Sequence, residues 1–176
     1  MKNIVITTLF LFASIALFAN DTDTTKSAQP LPSVTVKNIN GQNVDISSYG
    51  TNGKITVISF WATWCKPCVK ELRNINELLE DWEDNYNVEL VAISMDDAQN
   101  TNKVKPFANG QGWTFDILLD PNGEVQRALN VTNPPFTLLI DQDGNIVYTH
   151  TGYLEGDELD LEEHIIELHN KSLEKK

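Results

Sequence analysis

The stretch from Lys54 to Leu72 reads KITVISFWATWCKPCVKEL. Its first eight residues follow the turn pair Asn52-Gly53 and are dense in β-branched and aromatic side chains, which predicts a strand buried on both faces. The period then changes. Val69, Leu72, Ile75, Leu79 and Trp82 recur at three- and four-residue steps among charged neighbours, the pattern of an amphipathic helix. Trp64-Cys65-Lys66-Pro67-Cys68 lies at the junction, so two cysteines stand where a strand has ended and a helix begins. Cys65 is thereby set beside the unpaired N–H groups of the first helical turn, where the helix dipole favours a thiolate. Lys66 adds a positive charge, and Pro67 is tolerated because that turn has no N–H partner to lose. These effects make Cys65 the attacking sulfur. Cys68, one turn further in and less exposed, becomes the resolving sulfur that closes a Cys65–Cys68 disulfide and expels product.

Two other uses of the pair remain open on spacing alone. A purely structural bridge closing so small a ring removes little entropy from the unfolded chain, roughly 2 kcal/mol against about 3 for a fifteen-residue loop. A soft-metal site, such as a Cu(I)-binding metallochaperone module, would need partners that are not close in sequence. Zinc would need four ligands, yet there is no second CxxC, and His150, His164 and His169 lie far down the chain. No metal and no cofactor beyond the redox-active disulfide are expected.

Outward from this segment the alternation continues. Val34-Thr35-Val36 and Val44-Asp45-Ile46 flank Asn40-Gly41, a hairpin signal. Val88 to Ser94 reads as a second buried strand. Asn102 to Asn109 reads as a short helix ended by Gly110, with Pro106 kinking it or restricting its start. Phe115 to Leu119 is a strand stopped by Asp120-Pro121-Asn122-Gly123, and Glu124 to Leu129 makes a helical turn or two. Phe136 to Ile140 and Asn145 to Thr149 pair across Asp141-Gln142-Asp143-Gly144. That turn begins like a calcium loop but lacks the later ligands. Asp157 to Leu173 closes the chain as an amphipathic helix through Leu159, Leu161, Ile165, Ile166 and Leu168. Strands alternating with helices and then a terminal hairpin predict an α/β fold with helices around a central mixed sheet.

The chain has 176 residues, 41% of them hydrophobic, enough for one domain with a core and too few for two ordinary ones. Basic and acidic residues number 13 and 25, a net charge of −12, which repels phosphate backbones and excludes nucleic acid as a partner. Lys2 precedes an apolar run from Ile4 to Phe18 that ends near the small residue Ala19. Residues 1–20 read as a signal peptide or an N-terminal anchor, which puts the rest of the chain outside the cytoplasm, where disulfides form. Residues 21–32 are a polar linker with two prolines, and the folded domain is expected over residues 33–176.

Phe60 to Cys68 (FWATWCKPC), followed by Pro135 to Asp141 (PFTLLID), resembles the thioredoxin-like proteins of the TlpA/ResA type, from about Leu31 to the C-terminus. The segment from Gly110 to Asn130 resembles the forms with an extra element before the third core strand. The resemblance implies a thioredoxin fold, a mixed β-sheet flanked by helices with an N-terminal β-hairpin extension. It also implies thiol–disulfide oxidoreductase activity at the extracytoplasmic face or in the periplasm. That activity is commonly reductive, with a thiol-reducing electron donor in the membrane. A disulfide-forming oxidant of the same fold is the alternative, since Lys66 favours the thiolate and pulls towards oxidant.

Carried over residue by residue, Cys65 matches the family's nucleophile, Cys68 its resolving cysteine, and Pro135 its cis-proline. Glu71 lies three residues after Cys68, on the same side of a helix. In ResA-type proteins the glutamate at this spacing influences the proton chemistry of the cysteines. The buried aspartate of cytoplasmic thioredoxins would fall at Ser59, which leaves Glu71 as the acid for that task. Substrate is expected to meet Trp64, Lys66, Pro67 and Pro134. The residue before the cis-proline usually offers main-chain N–H and C=O to substrate, and Pro134 has no N–H. A peroxide-reducing role would call for Thr or Ser three residues before the cysteine, and Ala62 stands there. The expected substrate is a protein disulfide, with apocytochrome c, scrambled secreted proteins and other redox carriers all fitting, acted on by a monomer.

Overall fold

The computed structural model describes residues 29–174. The expected export segment, and the linker as far as residue 28, lie outside the described residues. The order is β1 (Thr35–Asn38), β2 (Asn43–Asp45), β3 (Ile55–Trp61), α1 (Lys66–Tyr86), β4 (Val88–Ser94), α2 (Val104–Gln111), β5 (Asp116–Leu119), α3 (Glu124–Ala128), β6 (Phe136–Ile140), β7 (Ile146–Thr151) and α4 (Asp157–Glu174). Short 3-10 turns occupy Ile46–Gly50 and Thr101–Lys103.

The seven strands form one mixed sheet in the order β2-β1-β5-β4-β3-β6-β7. β3, β4 and β5 run parallel, while β6 lies antiparallel to β3, and the β1–β2 hairpin extends the sheet beside β5. All seven residues of β3 are buried, because both faces of the sheet are covered. Ile55, Val57 and Trp61 pack with Leu72, Ile75, Leu79 and Trp82 of α1, Val104 of α2, and Leu161 and Ile165 of α4. Ile58 and Phe60 face the other way, onto Val36, Ile46, Val125 and Leu138. Ser59 therefore shares the α1 side of the strand with Val57 and Trp61.

In three places the sequence reading and the structure differ. α2 does not stop at Gly110 but runs to Gln111 and ends on Gly112, whose φ of 73° supplies the left-handed cap. Pro106 sits in the first turn of that helix, where a missing N–H breaks no intrahelical bond, in keeping with the expectation that it restricts the helix start. Leu159, assigned to the apolar face of α4, is exposed; Leu161 and Ile165 carry the packing. The last residues assigned to the linker are docked. Ile146 donates its N–H to Gln29, Pro30 bridges Asn145, and Leu31 is buried. A polar composition hid them, because main-chain bonds and one leucine are enough to hold them.

At the β6–β7 turn two stretches of backbone approach closely. Gly144 has φ +84° and lies against Gly50, so that a Cβ on Gly144 would fall on the Gly50 carbonyl oxygen. Gly144→Ala combines a left-handed conformation with a backbone collision. It is expected to cost about 2–4 kcal/mol in urea unfolding of the oxidised protein. A loss under about half a kcal/mol would show that the turn can shift freely.

Candidate active site

Cys65 is the N-cap of α1, in extended conformation (φ −91°, ψ 93°), and its sulfur accepts the Cys68 N–H at 3.3 Å. It is bonded to Cys68, with the two Cα atoms 5.4 Å apart. Both cysteines are buried, but Cys65 keeps 5% of its surface exposed while Cys68 keeps none. Lys66 and Pro67 occupy the first two helical positions and are exposed. Trp64 projects from the turn with 64% of its surface open.

The turn is held from below. Thr63 donates its main-chain N–H (2.9 Å) and its hydroxyl (2.6 Å) to the buried carboxylate of Asp96, which also receives the Ser94 hydroxyl (2.9 Å). Met95 donates its N–H to the Trp61 carbonyl at 2.7 Å. Trp61 packs edge-on against Trp113 at 5.0 Å, beside Phe107 at 5.7 Å. The turn from β3 into α1 thus rests on aromatic rings and is tied to the end of β4.

The Pro134–Pro135 peptide is cis. Phe60 pairs with Phe136 across β3 and β6, so Pro135 falls opposite Trp61, at the end of the sheet where the cysteine turn starts. Pro135 is buried, and its carbonyl accepts the Gly152 N–H at 2.9 Å. Pro134 is half-buried and offers only a carbonyl.

Glu71 is buried, on the face of α1 turned to the sheet. Its carboxylate accepts hydroxyls from Thr137 (2.6 Å) and Ser59 (3.1 Å). Those two residues are direct register partners on β6 and β3, so one cross-strand pair forms the whole cradle. Burial pushes the Glu71 carboxyl up to about 7, against the opposing pull of the Thr137 and Ser59 hydroxyls. A narrow space behind it is lined by Ile75, Tyr148, His150 and Asp157, the last two paired at 3.1 Å. His164 packs on Tyr148 and His169 on Tyr86, both on α4.

The AhpC/TSA family matches this chain over residues 28–149, more than half its length and including both cysteines and Pro135. The chain belongs to the AhpC/TSA family. Within this family it is similar to the thiol-disulfide oxidoreductase ResA of Geobacillus kaustophilus, with 33% identity over 76% of this chain and 73% of the relative. It is also similar to sporulation thiol-disulfide oxidoreductase A of Bacillus subtilis, with 28% identity over 86% and 90%. Among solved structures, a thioredoxin-like protein of Porphyromonas gingivalis superposes with a TM-score of 0.72 at 47% identity, covering 80% of this chain and 92% of that one. This AhpC/TSA member is a thioredoxin-like protein of the ResA type and a thiol–disulfide oxidoreductase.

Cys65, Cys68, Glu71 and Pro135 converge at one end of the sheet, with Trp64, Lys66 and Pro67 on the outer surface of the same turn and Pro134 preceding Pro135. Asp96 and Thr137 were missed by sequence reading. An acid two residues past the end of a buried strand, as Asp96 is past β4, was the available signal for the first. Thr137 gave none, because its role depends on the β3–β6 register.

Glu71 makes stability depend on pH with a definite sign. Its folded-state pKa lies above the unfolded value of 4.5, so the native state holds a proton that the unfolded chain has lost. Stability is then fully present below about 4.5 and declines as pH rises towards about 7. Relative to Glu71→Gln, the oxidised wild-type protein is expected to lose up to about 3 kcal/mol across that window in urea unfolding. Parallel curves for the two proteins would contradict the burial argument.

Proposed function

We propose that this oxidoreductase is exported and reduces protein disulfides by dithiol–disulfide exchange through its WCKPC motif. The observation that supports the reading most directly is the asymmetry of the pair: Cys65 caps α1 and keeps a little exposed surface, Cys68 is fully buried in the first turn, and Glu71 lies one turn beyond it. The Cys65 thiolate attacks one sulfur of a substrate disulfide. The other substrate sulfur leaves as a thiolate, and a mixed disulfide joins enzyme to substrate. Cys68 then gives its proton to Glu71 and attacks the Cys65 sulfur, which releases the second substrate thiolate. Substrate gains two electrons and the enzyme is left as the Cys65–Cys68 disulfide. A carboxyl held near pH 7 by burial suits this transfer, because it can take a thiol proton and return it at neutral pH.

A thiol-reducing donor in the membrane would return the pair to the dithiol. Export is supported by the basic start and apolar run of residues 1–20. Substrates carrying paired cysteines, apocytochrome c among them, fit the chemistry, and one domain with one cysteine pair suffices for it, so a monomer is the working unit. Substrate main chain would lie along the Pro134–Pro135 segment, where Pro134 contributes an acceptor but no donor.

The equilibrium potential of the Cys65–Cys68 pair near neutral pH tests the direction. A value below roughly −230 mV is expected, in the thioredoxin range. A value near −120 mV would make the protein an oxidant and leave the exchange chemistry intact. The Pro134 contact is tested separately. In a Cys68→Ser background that traps mixed disulfides, Pro134→Ala restores a donor and is expected to lengthen complex lifetime by about three- to tenfold, the worth of one hydrogen bond. An unchanged lifetime would remove Pro134 from the substrate contact.

A further inference from the structure

The first two turns of α1 carry their charges in an unfavourable order. A helix favours anions at its N-terminus and cations at its C-terminus. α4 obeys this, with Asp157, Glu158 and Asp160 in its first turn and Lys171 in its last. α1 reverses it. Lys66, Lys70 and Arg73 lie towards the N-terminus, where the one acid is the buried Glu71, while Glu77, Glu80, Asp81, Glu83 and Asp84 fill the remainder, with no acid in the first turn and no base in the last. The three cations fall at i, i+4 and i+7, on one face.

That face lines a groove of about 410 Å³ beginning at the cysteine turn, between Thr63, Lys66, Val69, Lys70, Arg73, Asn74 and Phe107. No acidic side chain lines it. Val69 and Phe107 are partly buried and give it an apolar floor. Among the described residues Lys66 has no ion-pair partner, and Arg73 donates to the neutral amide of Gln111 at 3.3 Å. Lys70 holds the carboxylate of Glu155 at 2.6 Å. Glu155 stands on the loop before α4 with its side chain 73% exposed, easily exchanged for another carboxylate. In a chain of net charge −12, three cations follow the reactive sulfur along one helix face, with Glu155 paired to Lys70 and Glu158 reached only through Asn74.

We propose that this groove is a specificity site for an acidic stretch of polypeptide flanking the substrate's cysteine. Lys66, Lys70 and Arg73 pair with Asp or Glu side chains of the substrate, while its apolar residues lie on Val69 and Phe107. The inference rests on the thiol exchange described above and assigns its substrate class.

The test uses the Cys68→Ser protein, reduced, and three peptides that differ only in carrying acidic, neutral or basic residues around one cysteine. That cysteine is activated as its mixed disulfide with uncharged thiopyridine. The Cys65 thiolate attacks the peptide sulfur, thiopyridone leaves, and its absorbance gives the second-order rate. Any thiolate reacts with such a disulfide, so the readout exists whether the enzyme reduces or oxidises in the cell. A wrong direction and a wrong groove are therefore distinguishable. The acidic peptide is expected to react about tenfold faster than the basic one at low ionic strength, with the gap closing as salt rises. With Lys70→Gln and Arg73→Gln together, the gap should shrink to within about twofold. Equal rates in the parent protein overturn the proposal. So does faster reaction of the basic peptide, which is what the net charge alone dictates, or an acidic preference that the double variant retains.

Discussion

The catalytic end of this molecule depends on Cys65 being at once the last extended residue after β3 and the N-cap of α1. An N-cap side chain accepts a hydrogen bond from the first helical turn, and here the acceptor is the cysteine sulfur, bound by the Cys68 N–H. The group that caps the helix is therefore the group that reacts. Because α1 is 21 residues long and buries Leu72, Ile75, Leu79 and Trp82 against the sheet, the cap inherits the rigidity of the core. Asp96, gripping Thr63 through both main chain and hydroxyl, prevents the turn from drifting away from β4.

The second determinant is the antiparallel register of β3 and β6. A single alignment sets Phe60 against Phe136 and Ser59 against Thr137. The first pair brings Pro135 level with Trp61, and the second aims two hydroxyls at Glu71. A slip of one residue would turn Thr137 to the opposite face and remove the donor that makes the shorter bond. An ionised carboxylate enclosed in a core is costly unless hydrogen-bonded, and two neutral hydroxyls compensate only in part. The remaining imbalance appears as the proton that Glu71 retains up to about pH 7.

Local features were the legible ones. The run from Lys54 to Leu72 announced a buried strand, a cysteine turn and a helix, and β4, β6 and the β6–β7 hairpin could each be read from a few consecutive residues. What stayed hidden depends on long-range register or on backbone bonding. Thr137 is one more hydroxyl in an apolar strand until β6 is aligned with β3. Residues 29–32 look like linker until Ile146 and Gly144 supply their main-chain partners. Gly110 and Gly112 are equivalent stop signals in sequence, and only the second adopts a positive φ. Glu71 is intermediate: its spacing from Cys68 is visible, but its burial and cradle are not.

Two departures from locally favourable design fall together in α1. β3 through β6 are strand-forming sequences lying in strands, and α4 has its charges oriented with the helix dipole. α1 has good apolar spacing, but its first two turns enclose a carboxylate and carry three cations at the wrong end. Neither choice helps the helix form or pack: enclosing a carboxylate costs desolvation, and Lys66 in the first turn opposes the helix dipole. Such choices are tolerable only because the rest of α1 is so well buried. Their coincidence with Cys65 and Cys68, and their absence from α4, argues that the first two turns of α1 are shaped by thiol chemistry and by what approaches it, while the remaining turns supply the anchorage.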